Sequence, residues 1–426
     1  MRLAQKLKTK TLLTLMRGVA GAERLIKGHS VDLFNPAFLN NPYETWEKLR
    51  EASPIHYSMA LQGYWTTNFN VAQEVLLDKR FGSDVRKHEK RVKRIKSNMS
   101  AEQLENFENP SMLSLDPPDH SRIRKLASKG FLRKYIQSLE PEIGKIVDAC
   151  LAKTSNMPAF DVLDVLAKPL PAIVIAEMMG LPESDHQQFQ TWSEDLIEST
   201  STSDTGVLEK GAKANQALIN YFRKIIAARR GNPGDDLIGQ LIAAEEAGDT
   251  LSEIELYNTC LLLLVAGHET TTRLISNGMY LLLNTPGSWQ TLRENPSLIP
   301  NAIEEMLRVE PPVQATQRFA TEDMDFHDIH LKRGDIIFIS IAAGNRDPAI
   351  NPDPDKFDVR RQDIKQISFG YGIHLCIGSA LARLEAKVAF EKLLAMYPEL
   401  QLSGPPPKWG TNPFFRGHNK LMVSRG

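Results

Sequence analysis

The chain has 426 residues, 42% of them hydrophobic and 24% charged, with a formal net charge of −1, as in an ordinary soluble globular protein with no global field toward nucleic acid or membrane. No apolar run approaches the roughly 18 residues that suggest a membrane span. The three cysteines, Cys150, Cys260 and Cys376, are far apart, which excludes a disulfide framework and fits a reducing cytoplasm.

Residues 1–34 read as a basic extension. Arg2, Lys6, Lys8, Lys10, Arg17, Arg24 and Lys27 stand against one nearby acid, Glu23, and Leu3, Leu7, Leu12, Leu15, Met16 and Val19 share a face if the stretch is helical. The favoured reading is a frayed or loosely docked terminus. The other is a helix lying weakly on a membrane surface. The apolar residues are too interrupted for a secretory signal. Residues 35–426 show no repeat and no low-complexity linker, so they read as a single domain. A first helix is expected over 35–53, entered through Pro42, then strand character over 55–67 with a turn at Gly63, then helix over 70–78. The run Arg86, Lys87, Lys90, Arg91, Lys93, Arg94 and Lys96, with Glu89 its only acid, reads as a solvated face. Its competing reading is a collar for an anionic substrate or partner.

Asp116-Pro117-Pro118-Asp119-His120 opens the next helix, and His120 and Arg124, four apart, share one face. Alone they are an ordinary surface pair. Lys125, Lys129, Arg133 and Lys134 extend the basic character. Helical stretches follow over about 140–153, 161–179, 185–199 and 207–230, with breaks at Gly180-Leu181-Pro182 and Gly231-Asn232-Pro233-Gly234. Residues 253–284 give the longest helical pattern, apolar from Leu261 to Val265 as a buried central helix would be. In its middle stands Ala266-Gly267-His268-Glu269-Thr270-Thr271. A glycine, an acid and hydroxyls inside an apolar helix are locally costly. They read as a kink with satisfied side chains or as a local opening beside a reaction centre. A zinc-protease H-E-x-x-H reading fails because Thr272 stands where the second His is required.

The helix over 301–309 carries Glu305 and Arg308 as E-x-x-R, and Pro354, Phe357 and Arg361 follow as P-x-x-F-x-x-x-R. Between them Arg318-Phe319-Ala320 and residues 328–339 read as strands, with 332–335 as a hairpin turn. The most informative stretch is 367–385, ISFGYGIHLCIGSALARLE. Gly370, Gly372 and Gly378 punctuate a turn that leads into a helix, so Cys376 lies just before a helix N-terminus. Unpaired N–H groups and the positive dipole end favour a thiolate there. A thiolate serves as a nucleophile, a zinc ligand or a haem axial ligand. Zinc needs about four ligands, and no second cysteine is near. A nucleophile needs a base, and His374 is only two residues away in a tight turn.

Phe369, Gly372, His374, Cys376 and Gly378 fit F-G-x-G-x-[HR]-x-C-x-G at every defined position, and this loop resembles the haem-ligand loop of the cytochrome P450 family. Residues 266–271 are similar to that family's oxygen-activation segment, A-G-x-[DE]-T-T. With the His120–Arg124, Glu305–Arg308 and Pro354–Arg361 patterns, five motifs stand in the family's order, and the resemblance runs from Asn35 to the C-terminus.

The resemblance implies a mainly α fold, helix-rich, with a long central helix, small β-sheets and haem b between two helices. It implies Cys376 as the iron ligand, Phe369, His374 and Gly378 as cofactor-binding neighbours, and His120, Arg124, Arg318 and His374 as contacts for the haem propionates. Glu269 is implied as a proton relay, Thr270 as the group that bonds dioxygen or its water, and Glu305, Arg308 and Arg361 as a buried support. Leu263, Ala266, Val313 and Phe414 are expected in an apolar substrate pocket. The implied reaction puts one oxygen atom from O2 into a C–H bond of a hydrophobic small molecule: a lipid, terpenoid, steroid or polyketide. Electrons are expected from NAD(P)H through an external partner, a ferredoxin or flavodoxin with its reductase. Lys125, Lys129, Arg133, Lys134 and Arg383 are the candidate docking cations. A cytoplasmic monomer without a nucleic-acid partner is expected. A peroxide-using peroxygenase or a haem-binding sensor of the same fold would not need the Glu269–Thr270 pair.

Overall fold

In the computed structural model, which describes residues 2–96, 104, 107–199, 204–246 and 251–425, the chain enters as α1 (Arg2–Lys27). Residues 14–27 of this helix are docked. Ala20 and Glu23 are buried. Glu23 accepts from Met59 N at 3.1 Å and from Lys27 Nζ at 3.0 Å, and Lys27 also donates to the Tyr57 carbonyl at 3.0 Å. The apolar face expected for the extension divides: Met16 is half-buried, whereas Leu15 and Val19 are exposed. The side chains of residues 1–13, Leu3, Leu7 and Leu12 among them, lie outside the described residues.

The stretch read as one helix over 35–53 is broken into a short turn, Pro36–Asn40, capped by the Asn35 side chain, and α2 (Tyr43–Ala52). The hairpin of β1 (Ile55–Ser58) and β2 (Gly63–Thr66) leads to α3 (Phe69–Leu77) and β3 (Phe81–Gly82). Next come α4 (Asp119–Ala127), which carries His120 and Arg124, α5 (Glu140–Ala152) and β4 (Ala159–Asp161). Residues 161–179, read as one helix, instead pass through a π-type turn at 163–167 before α6 (Pro169–Met178). Pro169 and Pro171 lack amide donors, so they suit a helix start and not a helix interior. Helices α7 (His186–Ser199), α8 (Thr205–Arg229), α9 (Leu237–Glu246), α10 (Glu253–Asn284) and α11 (Ile299–Val309) complete the helical body. After β5 (Ala315–Ala320), the hairpin β6 (Met324–Phe326)–β7 (Ile329–Leu331) and β8 (Ile336–Ser340), the chain closes with α12 (Ser379–Met396), β9 (Leu400–Leu402) and β10 (Met422–Arg425). The main sheet has the order β1-β2-β8-β5-β3, with β2 and β8 parallel and the other pairs antiparallel. A second sheet runs β4-β10-β9. Among the described residues, no helix is long and apolar enough to cross a membrane.

The central helix α10 begins with a capping box, in which Ser252 and Glu255 satisfy each other's backbone amides. Its apolar residues are buried on most sides, against α6, α7, α8, α11 and α12. At Gly278 a Cβ would meet Met306 Sδ at 2.5 Å and Phe390 Cζ at 2.9 Å, so glycine lets α11 and α12 close on α10.

The deepest polar feature lies on α11. Glu305 and Arg308 are both fully buried and joined by two bonds, Nε–Oε2 at 2.7 Å and Nη2–Oε1 at 2.8 Å. Arg361 Nε reaches Glu305 Oε1 at 2.9 Å, and Arg308 also donates to the carbonyls of Pro354 at 2.6 Å and Lys356 at 3.0 Å. The structure thus joins the two sequence patterns that carried these residues. Removing one partner leaves a charge buried without compensation, at a cost of about 3–5 kcal/mol. Glu305→Ala is expected to lower stability by about that amount, seen as a large fall in the urea midpoint. A midpoint unchanged from the parent would show that the network is not a support.

Candidate functional site

The Cys376 loop is closed from within and anchored from outside. Cys376 N donates to the Phe369 carbonyl at 2.9 Å, and Leu375 N to the Gly372 carbonyl at 3.1 Å. Gly370 and Gly372 both have φ of +70°, where a side chain is strained, and a Cβ on Gly372 would lie 2.6 Å from the Leu76 carbonyl oxygen. Ile367 N donates to Asn345 Oδ1 at 2.8 Å, and Ser368 Oγ donates to the Leu307 carbonyl at 2.7 Å. The base of the loop is therefore bonded to α11 and to the segment beside Arg308. Arg383 from α12 stacks over the Phe369 ring at 4.3 Å while paired with Glu304. Gly378 is the N-cap of α12.

The Cys376 side chain is accessible by area, yet enough protein surrounds it that burial pushes its thiol pKa up. Both hold for a group at the foot of a recess. The Gly378 backbone amide, Arg124 and Arg383 pull the other way and lose. The pull of the helix start toward a thiolate is present, through the Gly378 amide, but in the protein alone burial outweighs it. A bound metal cation, by contrast, deprotonates a coordinating thiol outright.

Around this sulfur the fold gathers His120, Arg124, Arg318 and His374. The His120 and His374 rings stand 4.2 Å apart, and Arg124 Nη2 donates to the Leu375 carbonyl at 2.5 Å. His120 is buried with neither ring nitrogen bonded. Burial pushes Arg318 down to about 10, and burial, with Arg318 and His120 acting in the same direction, brings His374 down to about 3. His120 is lowered by burial and then by Arg124. Asp116 is the acid that opposes these shifts, and it is engaged by Ser83 N at 2.6 Å and Lys87 Nζ at 3.2 Å. Four basic side chains this crowded suit a ligand that carries negative charge.

Across the site, the middle of α10 changes character. Ala266 is exposed and Thr270 half-buried, although the neighbouring Leu263, Leu264, His268 and Glu269 are buried. Thr270 Oγ1 donates to the Ala266 carbonyl at 2.7 Å. Glu269 is held by Arg273, one turn on, through Nε at 2.7 Å and Nη2 at 2.5 Å. Arg273 Nη1 continues to the His418 carbonyl at 2.8 Å, and a Cβ on Gly417 would lie 2.2 Å from Arg273 Cδ. Burial raises the Glu269 pKa, and Arg273 opposes the rise. Among the expected pocket residues, Leu263 sits in the main core. Val313 bridges to Phe415, and Phe414 packs on the Phe38–Trp46–Trp65 cluster beside a cleft. Three of the seven cations in the basic run are ion-paired, Arg86 with Asp84, Lys87 with Asp116 and Lys96 with Glu108, and Arg91 donates to the Gly334 carbonyl. That favours the solvated face. The side chains of Lys90 and Arg94 lie outside the described residues.

Sequence reasoning missed Asp116, Ser83, Arg273 and the His418 carbonyl as parts of the site. Arg273 was findable, because it is four residues beyond Glu269 on one helix face. The others come from distant segments and leave no local signal.

Among the described residues, no group of three or more His, Cys, Asp or Glu side chains is placed to hold a metal by itself. A metal at Cys376 must therefore bring its other ligands with it, and the orphaned His120 nitrogens and crowded cations call for carboxylates on the same molecule. An iron porphyrin with two propionates meets both demands. The fold and site define a haem-thiolate protein. The cytochrome P450 family model matches residues 75–411. Cytochrome P450 107B1 of Saccharopolyspora erythraea is 37% identical over 92% of this chain and 97% of its own length. The monooxygenase PikC of Streptomyces venezuelae is 36% identical over 91% of each chain. Among crystal structures, P450BioI in complex with an acyl carrier protein bearing hexadec-9Z-enoic acid superposes with a TM-score of 0.84 at 36% identity, covering 92% of this chain and 100% of that one. Myxobacterial CYP267B1 in complex with myristic acid gives 0.85 at 35%, covering 93% and 99%. The chain belongs to the cytochrome P450 family and is a haem-dependent monooxygenase.

Glu385, in the second turn of α12, is buried with Oε2 unpartnered, and burial pushes its pKa well above the carboxylate range. A raised folded-state pKa leaves its contribution to stability complete below the unfolded value of about 4.3 and erodes it as pH rises toward the folded value. Glu385→Gln is expected to flatten the decline of melting temperature between mildly acidic and neutral pH. An unchanged slope would place the titration elsewhere.

Proposed function

We propose that the protein inserts one oxygen atom from dioxygen into a C–H bond of a small apolar molecule, using electrons delivered singly by a separate redox protein. The observation that carries this reading is the Cys376 loop with its four basic neighbours; the segment of α10 at 266–270, expected to kink or open, stays continuous helix but leaves Ala266 exposed and Thr270 half-buried, which supports it as the second half of the site. When bound, haem supplies the oxygen-activating chemistry, with a thiolate ligand favouring O–O cleavage. Cys376 Sγ would hold the haem iron, and the Gly378 amide would temper the charge on that sulfur. His120, Arg124, Arg318 and His374 would hold the propionates, and the Arg383 stack fixes the Phe369 ring beside the cysteine loop. Thr270 gives its hydroxyl proton to the Ala266 carbonyl, which leaves the oxygen lone pairs free to accept from a water or a protonated oxygen species beside the exposed Ala266. Glu269 takes up protons and passes them inward. Arg273 aims the Glu269 carboxylate and opposes the rise in its pKa that burial causes. Through His418 the same arginine fixes the C-terminal loop that carries Phe414.

Among the described residues Leu263, Val313 and Phe414 pack in three different apolar clusters, and of these and Ala266 only Phe414 lines a described cleft; an apolar substrate pocket lined by all four is part of this proposal. Lipids, terpenoids, steroids and polyketides fit it. Relatives whose names or titles mention a fatty acid, a polyketide pathway and vitamin D support that range. Lys125, Lys129, Arg133 and Lys134 are exposed or nearly so on and after α4, beside a groove lined by Phe131, Arg133, Arg383 and Lys387. These cations support an acidic ferredoxin or flavodoxin, with its NAD(P)H-dependent reductase, as donor. Free Cys150 and Cys260 support a reducing cytoplasm as the setting, and a monomer as the working unit is part of the same proposal. The Glu269–Thr270 pair favours the dioxygen route over a peroxide-using one.

The reduced, carbon-monoxide-bound protein is expected to show the red-shifted Soret band of a thiolate ligand, and its absence from folded, haem-loaded protein would reject Cys376 as ligand. Thr270→Ala is expected to keep that band but divert most reducing equivalents to peroxide, with product formation falling about 10²-fold. Arg273→Gln removes the cation that lowers the Glu269 pKa, so the acid limb of the pH–rate profile should move to higher pH with haem content unchanged. An unmoved limb would remove Arg273 and Glu269 from the proton route.

A further inference from the structure

Helix α1 meets the rest of the protein along one edge. Ala20 and Glu23 are buried there, whereas Leu15, Val19, Leu25 and Ile26 are 60%, 37%, 89% and 77% exposed. At 3.6 residues per turn these four, with Gly18 and Ala22 between them, fill an arc about 120° wide that faces away from the docked edge. Leu25 is the most exposed large apolar side chain among the described residues. The adjoining β1–β2 hairpin adds Tyr57 and Met59, 44% and 46% exposed, directly beside their bonds to Lys27 and Glu23. A folded chain gains nothing by holding such a patch in water, and patches of this kind mark interaction surfaces.

Charge selects the occupant. The sequence of α1 holds seven cations and one acid, and that acid, Glu23, is neutralised by Lys27 at 3.0 Å. A second copy of the chain would bring this cationic helix against itself, since a twofold interface pairs the same patch with itself. A folded protein partner anchors its aromatic or arginine side chains in pockets. Leu15, Val19, Leu25 and Ile26 line none of the described clefts, and the cleft beside α1 opens on another side of the helix, at Arg17, Ala20, Gly21 and Arg24. A bilayer needs no pocket. Its acyl boundary accepts the apolar arc while negative headgroups meet the cations.

We propose that α1, together with the β1–β2 hairpin, is a docking surface for an anionic lipid bilayer, entered by Leu15, Val19, Leu25 and Ile26. The docking rests on the exposed face and charge of α1 and not on the reaction proposed above; only its use, holding the enzyme where apolar substrates concentrate, depends on that reading.

Haem-loaded, full-length protein is sedimented with vesicles of phosphatidylcholine alone or mixed with phosphatidylglycerol. At low salt the protein is expected to bind the mixed vesicles at least about tenfold more than the neutral ones, and added salt should release it. Leu25→Glu with Ile26→Glu should lower binding by a further factor of about ten, with haem content and the carbon-monoxide spectrum unchanged. Lys6→Glu with Lys10→Glu, which leaves the exposed apolar residues in place, should abolish the preference for phosphatidylglycerol. Three results would overturn the proposal. One is no binding to the mixed vesicles at low salt. Another is binding untouched by the Leu25–Ile26 substitutions. The third is a parent dimer that those substitutions turn into a monomer without any vesicle binding, which would make the face a contact between copies.

Discussion

Two charges that no water reaches, Glu305 and Arg308, fix where the rest of the site can be. Such a pair is tolerable only when nearly every donor and acceptor on it is bonded, and each of those bonds pulls in a distant segment. Arg361 and the carbonyls of Pro354 and Lys356 are drawn to the pair from one side. The Asn345 carbonyl accepts from Arg308 at 3.4 Å, while its side chain receives the Ile367 amide at the base of the cysteine loop. The position of Cys376 is therefore set through a buried electrostatic network some seventy residues upstream. The loop's own glycines shape its local path; the network decides where in the protein that path lies.

A smaller version of the same device acts on the opposite side. Glu269 interrupts an apolar helix, and its charge is tolerated because Arg273 meets it one turn along. Arg273 in turn spends its second donor on the His418 carbonyl and needs glycine at 417 to pass. The helix acid and the C-terminal loop thus share one guanidinium. The basic quartet near Cys376 works in the reverse sense. Its members repel one another and are poorly matched by Asp116, so the protein alone leaves them short of negative charge that a propionate-bearing cofactor supplies.

The loop at 367–378 and the 266–271 segment were legible because each makes a local demand that few residues meet. Positive φ at Gly370 and Gly372, and glycine, acid and hydroxyls within an apolar helix, show in sequence without knowledge of neighbours. Element boundaries near Pro36, Pro42, Pro169 and Pro171 were less legible, because proline ends one helix and starts the next within the same apolar pattern. The Asp116–Ser83 bond and the Arg273–His418 bond were invisible, joining segments 33 and 145 residues apart. The N-terminal helix was read as loose because its apolar residues recur without a partner. Its docking depends on Glu23 meeting the Met59 amide, a contact no periodicity encodes.

The sequence by itself determined the family, the central helix, the cysteine proposed as ligand and the basic residues proposed to face the cofactor, since all of these are local patterns of residue type and spacing. Tertiary structure decided the electrostatics. It showed that burial outweighs the helix start at the Cys376 thiol, that Glu269 is clamped by Arg273, that three cations of the basic run at 86–96 are already ion-paired, and that the apolar face of α1 is left in water. The physical reason is common to all four. Desolvation and charge pairing depend on what surrounds a group in three dimensions, and a sequence lists only what adjoins it along the chain.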